Sequence, residues 1–252
     1  MSAELYIEKI SNLVTGLNET SLKSIKEAAN AMANSIKAGR PVYYYGSGHS
    51  ALPCLDVYPR YGTFVGIQPI HDPRLTWTNV LGPGGTPELL WLERQEGYVK
   101  NVFRSYDIQP QDTLIVFSHG GLNAAGIEAA LLGKENGATV VAITSMQNYH
   151  KNAPKHSSGK KLADVADIVI DNASPPEDSL ISIPNWEEPV AAASTVMGVV
   201  ISMTLIAETA KILSDQGVYR ATFASPNVVS DPDHDLKVYE EYKKFHKSIS
   251  GY

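Results

Sequence analysis

The chain has 252 residues, of which 43% are hydrophobic and 19% are charged. This composition excludes an intrinsically disordered chain and allows a substantial core. The 27 acidic residues outnumber the 21 Lys and Arg residues, for a formal charge of −6, so the positive footprint of a nucleic-acid-binding protein is missing and no nucleic-acid partner is predicted. Cys54 is the sole cysteine, which excludes an intramolecular disulfide and a thiolate metal cage and is typical of a reducing cytosol.

The first residues include acids and no long apolar run, so neither a signal peptide nor a transit peptide is predicted. The longest apolar stretch, residues 190–206, is interrupted by polar residues and glycine, and it is shorter than the roughly 20 residues that a bilayer requires. We therefore expect a buried helix there, no membrane partner and a cytoplasmic protein.

Apolar residues at helical spacing predict two consecutive helices over residues 5–37, separated by a polar N-cap near residues 18–21. A β-rich run at 42–45 then leads into a Gly/Ser loop and another helical stretch. The same order of strand, loop and helix returns later in the chain. The further predicted strands are 113–117, 139–143 and 168–170, and helices are predicted at 124–136 and 160–166.

Strands that alternate with helices predict a mainly parallel sheet covered by helices on both faces. The expected fold is an α/β three-layer sandwich of flavodoxin-like or Rossmann-like type. We expect one domain over residues 1–252, made of N-terminal helices (1–39), a core (40–235) and a C-terminal amphipathic helix (236–252).

Ligands of an open parallel sheet bind beyond the carboxyl ends of its strands, which directs attention to two loops. The first contains Gly46, Ser47, Gly48, His49 and Ser50, and the second contains Ser118, His119, Gly120, Gly121 and Asn123. Glycines allow close approach of backbone amides to a ligand, and a following helix N-terminus favours an anion. Neither loop matches a Walker A or a G-x-G-x-x-G pattern, so a nucleotide is not favoured.

These loops resemble those of the SIS (sugar isomerase) domain family, whose better-known members bind phosphosugars through a Ser-x-Ser-Gly-x-[Ser/Thr] loop after a parallel strand. The similarity covers most of residues 40–235 and is strongest for a subfamily described as phosphosugar isomerases. The segments that carry it are 45–50, 92–97, 115–128, 137–145, 158–172 and 225–228 with His234. The resemblance implies an SIS sheet, a sugar-phosphate ligand and a homodimer or higher homo-oligomer.

The sequence departs from the family pattern at three positions. Gly120 stands where the family has its second serine, Asn123 replaces the usual Ser or Thr, and Asp56 stands where many isomerases have a glutamate. Loss of a buried hydroxyl donor costs roughly 1–3 kcal/mol, although His119 or the amides around Gly120 could compensate. Another acidic or neutral sugar therefore remains open beside a sugar phosphate.

Aldose–ketose isomerisation needs a base that moves a proton between neighbouring carbons and an acid that acts on the oxygens. The resemblance implies Asp56 as the base. Glu93 is its rival, as is Glu96, since a spacing of three in a helix-like stretch would place both on one face. His49 is expected to line the site, and His234 to reach the pocket of a neighbouring subunit.

Three further positions complete the expected site. Ser194 and Thr195 open the apolar helix predicted over residues 196–210, where they are N-cap residues by pattern. By resemblance they are also ligand contacts, as is Ser145. The histidines show neither His-x-x-x-His nor His-Glu-x-x-His spacing, so no metal is predicted, and no cofactor.

The sequence thus predicts a phosphosugar or acidic-sugar isomerase. Two alternatives stay open: a non-catalytic sugar-binding regulator, and a lyase or etherase that uses the same pocket. A transcriptional regulator would normally carry a helix-turn-helix domain, for which the residues before the first strand are too few and too weakly basic.

Overall fold

The computed structural model describes residues 2–249, and its centre is a five-stranded parallel sheet with the strand order β2-β1-β3-β4-β5. The strands are β1 (Val42–Gly46), β2 (Ile67–Ile70), β3 (Thr113–Phe117), β4 (Thr139–Thr144) and β5 (Ile168–Asp171). This is the flavodoxin-like order. The predicted fold class is therefore confirmed.

Strand β2 is the one strand of this sheet that the sequence pattern does not predict. It contains Pro69, which lacks the backbone N–H needed for pairing on both sides and is therefore restricted to edge strands. In the structure β2 lies at the sheet edge and pairs with β1 alone.

Helices cover both faces of the sheet and divide the core into two layers. Tyr44 packs on the first face, whereas Tyr43 and Tyr45 pack on the second, as alternation along a strand requires. The first face carries α1 (Ser2–Thr20), α2 (Leu22–Lys37), α3 (Ala51–Asp56) and α9 (Ser194–Asp215). The second carries α4 (Thr86–Leu92), α5 (Tyr98–Phe103), α6 (Ala124–Glu135) and α8 (Leu162–Val165).

The two N-terminal helices confirm the predicted pair, with the break at Ser21. The side chain of Ser21 does not cap α2, contrary to expectation. Its hydroxyl instead donates to the carbonyl of Asp171, 2.9 Å away. The hydroxyl thus ties the helix junction to the end of β5.

Helix α9 has the length and apolar composition of a membrane span. Its residues Met197, Ile201 and Leu205 are fully buried in the first layer of the core. The predicted buried helix therefore exists, but it begins at Ser194. Residues 190–192 form β7 (Val190–Ala192) instead, which pairs antiparallel with β6 (Ser179–Ile181).

The remaining helices are α7 (Met146–Lys151), which follows β4, and α10 (His234–Ile249). Helix α10 packs through Val238 and Tyr242 against Val65, Ala221 and Phe223. The predicted C-terminal helix is therefore present, and residues 250–252 of that prediction lie outside the described residues, as does residue 1 of the predicted domain.

Candidate functional site

The loops after β1 and β3 begin side by side, because Gly46 is the partner of Phe117 in the parallel pairing of these strands. Strand β2 lies on one side of β1 and strand β3 on the other, so chain direction across the sheet reverses here. Such a reversal opens a crevice at the carboxyl ends of the strands. The topology thus places the two predicted loops together.

Gly46 is required by the turn that leads out of β1. A Cβ atom at this position would lie 2.2 Å from the backbone oxygen of Ser50, closer than any side chain tolerates. The chain can therefore make this turn only with glycine at position 46. The turn places the following residues, Ser47 to His49, at the carboxyl edge of the sheet.

A shallow cleft opens between these loops and the start of α9. Six of the residues predicted from the sequence line it: His49, Ser50, Ser118, His119, Ser194 and Thr195. The structure adds residues that the sequence analysis did not select: Pro53, Phe117, Ile143, Asn172 and Gly198. Asn172 follows β5 directly, so the rule that ligands bind beyond strand ends could have identified it.

The walls of the cleft are polar without formal charge. None of the described residues that line it is Asp, Glu, Lys or Arg. His49 is exposed, and its ring lies 4.2 Å from the Trp77 ring, centroid to centroid. An anion bound here would be held by backbone amides, hydroxyls and imidazoles.

Glu93 is not among the residues that line the cleft, but it connects the two loops. Its Oε2 accepts a hydrogen bond from the Ser47 hydroxyl at 2.9 Å, and its Oε1 accepts one from the Asn123 amide at 2.7 Å. The backbone N–H of Ala125 also donates to the Glu93 carbonyl at 2.9 Å. We call the group of Ser47, Glu93 and Asn123 the Glu93 bridge.

The carboxyl group of this bridge is buried, with 8% of the residue exposed. Burial raises the pKa of Glu93 above its usual value, and the hydrogen bond from Ser47 opposes the rise. A carboxylate held by neutral donors at a sheet edge, with a pKa moved toward neutrality, has the properties of a general base.

Glu93 and Glu96 do not lie on one helix face, and that expectation is wrong. Helix α4 ends at Leu92, and Gly97 adopts a left-handed conformation before α5, so the chain turns between the two glutamates. The Glu96 carboxylate accepts hydrogen bonds from the backbone N–H of Ser157 (2.7 Å) and from its hydroxyl. These bonds lower the pKa of Glu96.

Asp56 and His234 lie away from the cleft within one chain. Asp56, at the C-terminal end of α3, receives two hydrogen bonds of 2.8 Å from Nη1 of Arg60. His234 begins α10, and its Nε2 lies 2.8 Å from the carbonyl oxygen of Thr222. The structure therefore does not bring these two predicted catalytic residues to Glu93.

Ser145 is buried and hydrogen-bonded within the protein. It is fully buried, its hydroxyl donates to the Ser174 carbonyl at 2.7 Å, and it accepts the N–H of Asn148 at 3.2 Å. These bonds occupy Ser145 at the start of α7, and it is not among the residues that line the cleft.

Ser194 is not the N-cap of α9 that the pattern predicts. The carboxylate of Asp178 accepts from the Ser194 N–H at 2.6 Å and from its hydroxyl at 2.7 Å. Asp178 thus supplies a negative charge at the start of α9. This charge disfavours a ligand anion at that end of the cleft and favours one near the loop at 118–123.

The loop at 118–123 is fixed by a hydrogen bond within the loop and by another to the residue that follows β4. The N–H of Gly121 donates to the Ser118 hydroxyl at 3.2 Å, and the carbonyl of His119 accepts the N–H of Ser145 at 3.0 Å. A Cβ atom at Gly120 would meet nothing within 4 Å. Packing therefore does not require glycine at this position.

Comparison with known proteins identifies relatives of the whole chain. The sequence model of the SIS domain matches residues 5–145. A UPF0309 protein of Thermoanaerobacter pseudethanolicus is 35% identical over 243 residues, which covers 95% of this chain and 96% of that protein. A UPF0309 protein of Halalkalibacterium halodurans is 35% identical over 240 residues, covering 95% of this chain and 94% of the relative.

Solved structures show the same fold. The phosphoheptose isomerase of Neisseria gonorrhoeae aligns with a TM-score of 0.56 at 14% identity, over 83% of this chain and 97% of the isomerase. That of Francisella tularensis aligns with a TM-score of 0.52 at 14% identity, over 82% of this chain and 95% of the isomerase. With its sheet order, its loop pair and its relatives, the chain belongs to the SIS domain family and, within that family, to the UPF0309 proteins.

Proposed function

We propose that this SIS protein binds a sugar phosphate or a related acidic sugar in the cleft and isomerises it between aldose and ketose. The observation that carries the proposal is the Glu93 bridge, which holds one buried carboxyl group against both ligand-binding loops. The family and the phosphoheptose isomerase folds support a sugar-phosphate ligand.

Glu93 would move the proton in this reaction. Its carboxylate takes a proton from the carbon next to the carbonyl of the open-chain sugar, which leaves an enediol, and it returns the proton to the neighbouring carbon. Each carboxylate oxygen accepts one hydrogen bond in the bridge and keeps a further lone pair for the transfer. The raised pKa suits a base that must also give the proton back.

His49 would act on the sugar oxygens. It follows Ser47 by two residues and is exposed at the cleft against Trp77. An imidazole at this position can donate a proton to one sugar oxygen and accept one from the other. The N-terminus of α6, which follows the second loop, favours the anionic group of the ligand.

One observation favours a second function, that of a non-catalytic sugar-phosphate-binding regulator. Glu93 is enclosed, both of its oxygens accept hydrogen bonds, and none of the described residues that line the cleft is an acid. In that case the Glu93 bridge would only hold the loops together. A lyase or etherase would use the same carboxyl group as the isomerase.

A ligand panel separates these functions. Thermal unfolding of the full chain is measured with sugar phosphates, sugar acids and free sugars, because a ligand that binds only the folded state raises its apparent stability. Each stabilising ligand is then incubated with the protein in D₂O and followed by NMR. An isomerase incorporates deuterium at the carbon next to the carbonyl and forms the isomer, whereas a regulator leaves the ligand unchanged.

The assembly belongs to the same proposal. We infer a cytoplasmic homodimer in which His234 of one subunit approaches the cleft of the other, without nucleic-acid or membrane partners. Light scattering gives the mass in solution. If His234 acts in the neighbouring cleft, the His234→Ala and Glu93→Gln variants are each inactive alone. Mixing them should restore part of the activity, because one cleft in each mixed dimer then has both wild-type residues.

A further inference from the structure

The imidazole of His119 is bound on one side only. Its Nε2 lies 3.0 Å from the Asn148 amide nitrogen and 3.3 Å from the Pro176 carbonyl oxygen. Its Nδ1 is enclosed and has no hydrogen-bond partner among the described residues. His119 itself lines the cleft, so this unpaired atom belongs to a cleft residue.

The surrounding amides assign the position of the proton on this ring. The Asn152 amide nitrogen donates to Oδ1 of Asn148 at 2.9 Å, which orients the Asn148 amide so that its NH₂ group faces His119. Asn148 is 5% exposed, so packing holds it in place. The same NH₂ group also donates to the Pro176 carbonyl at 3.3 Å, so this oxygen does not need a proton from Nε2. A ring nitrogen that accepts from an NH₂ group carries no proton, and the neutral imidazole then has its proton on Nδ1.

An enclosed N–H group without an acceptor is unfavourable in the free protein, because it has lost its bond to water without replacing it. A ligand oxygen in the cleft would remove this deficit. The next residue is loosely packed, since a Cβ atom at Gly120 would meet nothing within 4 Å. The carbonyl of His119, bound to Ser145 N–H at 3.0 Å, fixes the backbone from which the ring projects.

We propose that the Nδ1–H group of His119 donates a hydrogen bond to an oxygen of the bound sugar phosphate, in the tautomer that Asn148 and Asn152 impose. This inference rests on the proposed function, since it names a contact in the same cleft. His119 is then a binding residue for an oxygen acceptor, and Asn148 is a positioning residue that acts through it.

The tautomer is tested first, without any ligand. ¹⁵N NMR of the uniformly labelled protein distinguishes protonated from unprotonated ring nitrogens, and the His119→Asn variant identifies the His119 signals among the 7 histidines. We expect protonated Nδ1 and unprotonated Nε2 at neutral pH. A proton on Nε2 overturns the proposal.

The contact is tested with a matched pair of variants. In His119→Asn the amide nitrogen takes the place of Nδ1 and keeps the donor. In His119→Gln it takes the place of Nε2 and loses the donor at Nδ1. Binding of inorganic phosphate, D-glucose 6-phosphate and D-glucose is measured by calorimetry.

We expect His119→Gln to weaken the binding of D-glucose 6-phosphate by about ten- to a hundredfold, and His119→Asn to stay close to the wild type. Equal binding by the wild type and both variants means that Nδ1–H does not contact the ligand, and it overturns this contact while the proposed function stands. If the wild type binds neither phosphate probe, the proposed function is wrong about an anionic ligand, and the proposed contact is wrong as well.

Asn148→Asp tests the positioning role. Its carboxylate accepts from a proton on Nε2, so the ring proton should move from Nδ1 to Nε2 in the ¹⁵N spectrum, and binding of D-glucose 6-phosphate should weaken as in His119→Gln. Gln147→Glu is the control, because it adds the same charge one residue away at an exposed position. An unchanged tautomer in Asn148→Asp contradicts the role of Asn148.

Discussion

The two ends of the sheet each contain a buried carboxyl group, and the two groups are bound differently. At the amino end, Asp112 precedes β3 and pairs with Arg40, whose Nε and Nη2 donate to its two oxygens at 2.7 and 3.0 Å. At the carboxyl end, Glu93 is held by Ser47 and Asn123, which carry no charge. The Asp112 carboxylate is bound by a cation, whereas the Glu93 carboxyl group is bound by uncharged donors.

This difference separates a structural carboxylate from a reactive one. Asp112 also accepts the Gln109 N–H at 2.8 Å. Its hydrogen bond and its charge raise the pKa of Arg40, so the pair is stable as two ions. Burial of Glu93 raises its pKa instead, against the opposing effects of the Ser47 hydrogen bond and the charge of Arg94. A group that is easily protonated and deprotonated is useful for catalysis, whereas a buried ion pair is structural because removal of one partner leaves an uncompensated charge.

The largest expected effect is that of Glu93→Gln on turnover. If Glu93 is the base, the variant should isomerise the ligand identified by the panel about 100- to 10,000-fold more slowly than the wild type. Circular dichroism and the thermal-shift response to the same ligand show whether the fold and binding survive. Asp56→Asn and Glu96→Gln are matched controls and should keep wild-type turnover, and full turnover in Glu93→Gln would refute the mechanism.

Arg40→Met should have the largest effect on stability at the opposite end of the sheet. Asp112 has a fully buried side chain, and loss of its cation should lower the free energy of unfolding by about 3–5 kcal/mol. Arg60→Met removes a similar pair at Asp56, but both partners are partly exposed, so it should cost no more than about 1 kcal/mol. Urea unfolding measures both, and equal costs would contradict the distinction.

Two glycine variants sharpen the description of the carboxyl end. Gly46→Ala places a Cβ atom 2.2 Å from a backbone oxygen, and it should destabilise the protein by about 1–3 kcal/mol. Gly120→Ala meets open space, so the free energy of unfolding should stay constant or rise by up to about 1 kcal/mol. The same unfolding assay decides, and a large cost at Gly120 would show that its loop is packed in solution.

The smallest expected effect is on the pH dependence of stability. Because burial raises the pKa of Glu93 above the ordinary 4.5, the folded protein binds this proton more tightly than the unfolded chain. This contribution to stability is present at low pH and is lost as pH rises through the raised pKa. The Tm of the wild type minus that of Glu93→Gln should therefore fall with increasing pH.

Glu96→Gln provides a control of opposite sign. The pKa of Glu96 is lowered by its hydrogen bonds from Ser157, so its contribution is present above the ordinary carboxyl pKa and is lost as pH falls through the lowered value. The Tm of the wild type minus that of Glu96→Gln should therefore rise with pH. Differential scanning fluorimetry from pH 3 to 8 resolves the two slopes, and slopes of the same sign would contradict the assignment of Glu93.

Much of the fold follows from local pattern. Four strands of the sheet coincide with apolar or aromatic runs that the sequence pattern predicts, and both ligand-binding loops follow two of these strands. Strand β2 escapes the pattern because of Pro69, and the pair β6 and β7 because each strand has only three residues. Short or proline-containing strands depend on their neighbours more than on their own sequence.

The candidate site is less predictable because its chemistry depends on contacts between distant residues. Nothing in the sequence distinguishes Glu93 from Glu96, and the choice follows from the end of α4 at Leu92. The role of His119 depends on Asn148, 29 residues later in the chain. Asp178 binds Ser194 at the start of α9 only after the loop before β6 has folded.

The contact between His49 and Trp77 gives the protein an internal optical probe. Trp91 and Trp186 are 61% and 64% exposed, so their emission is that of indole in water, while Trp77 is partly buried beside the imidazole. A ligand that displaces or protonates the His49 ring changes the quenching of Trp77. In a variant in which Trp91 and Trp186 are replaced, fluorescence titration of Trp77 measures ligand occupancy directly, whether or not the ligand reacts.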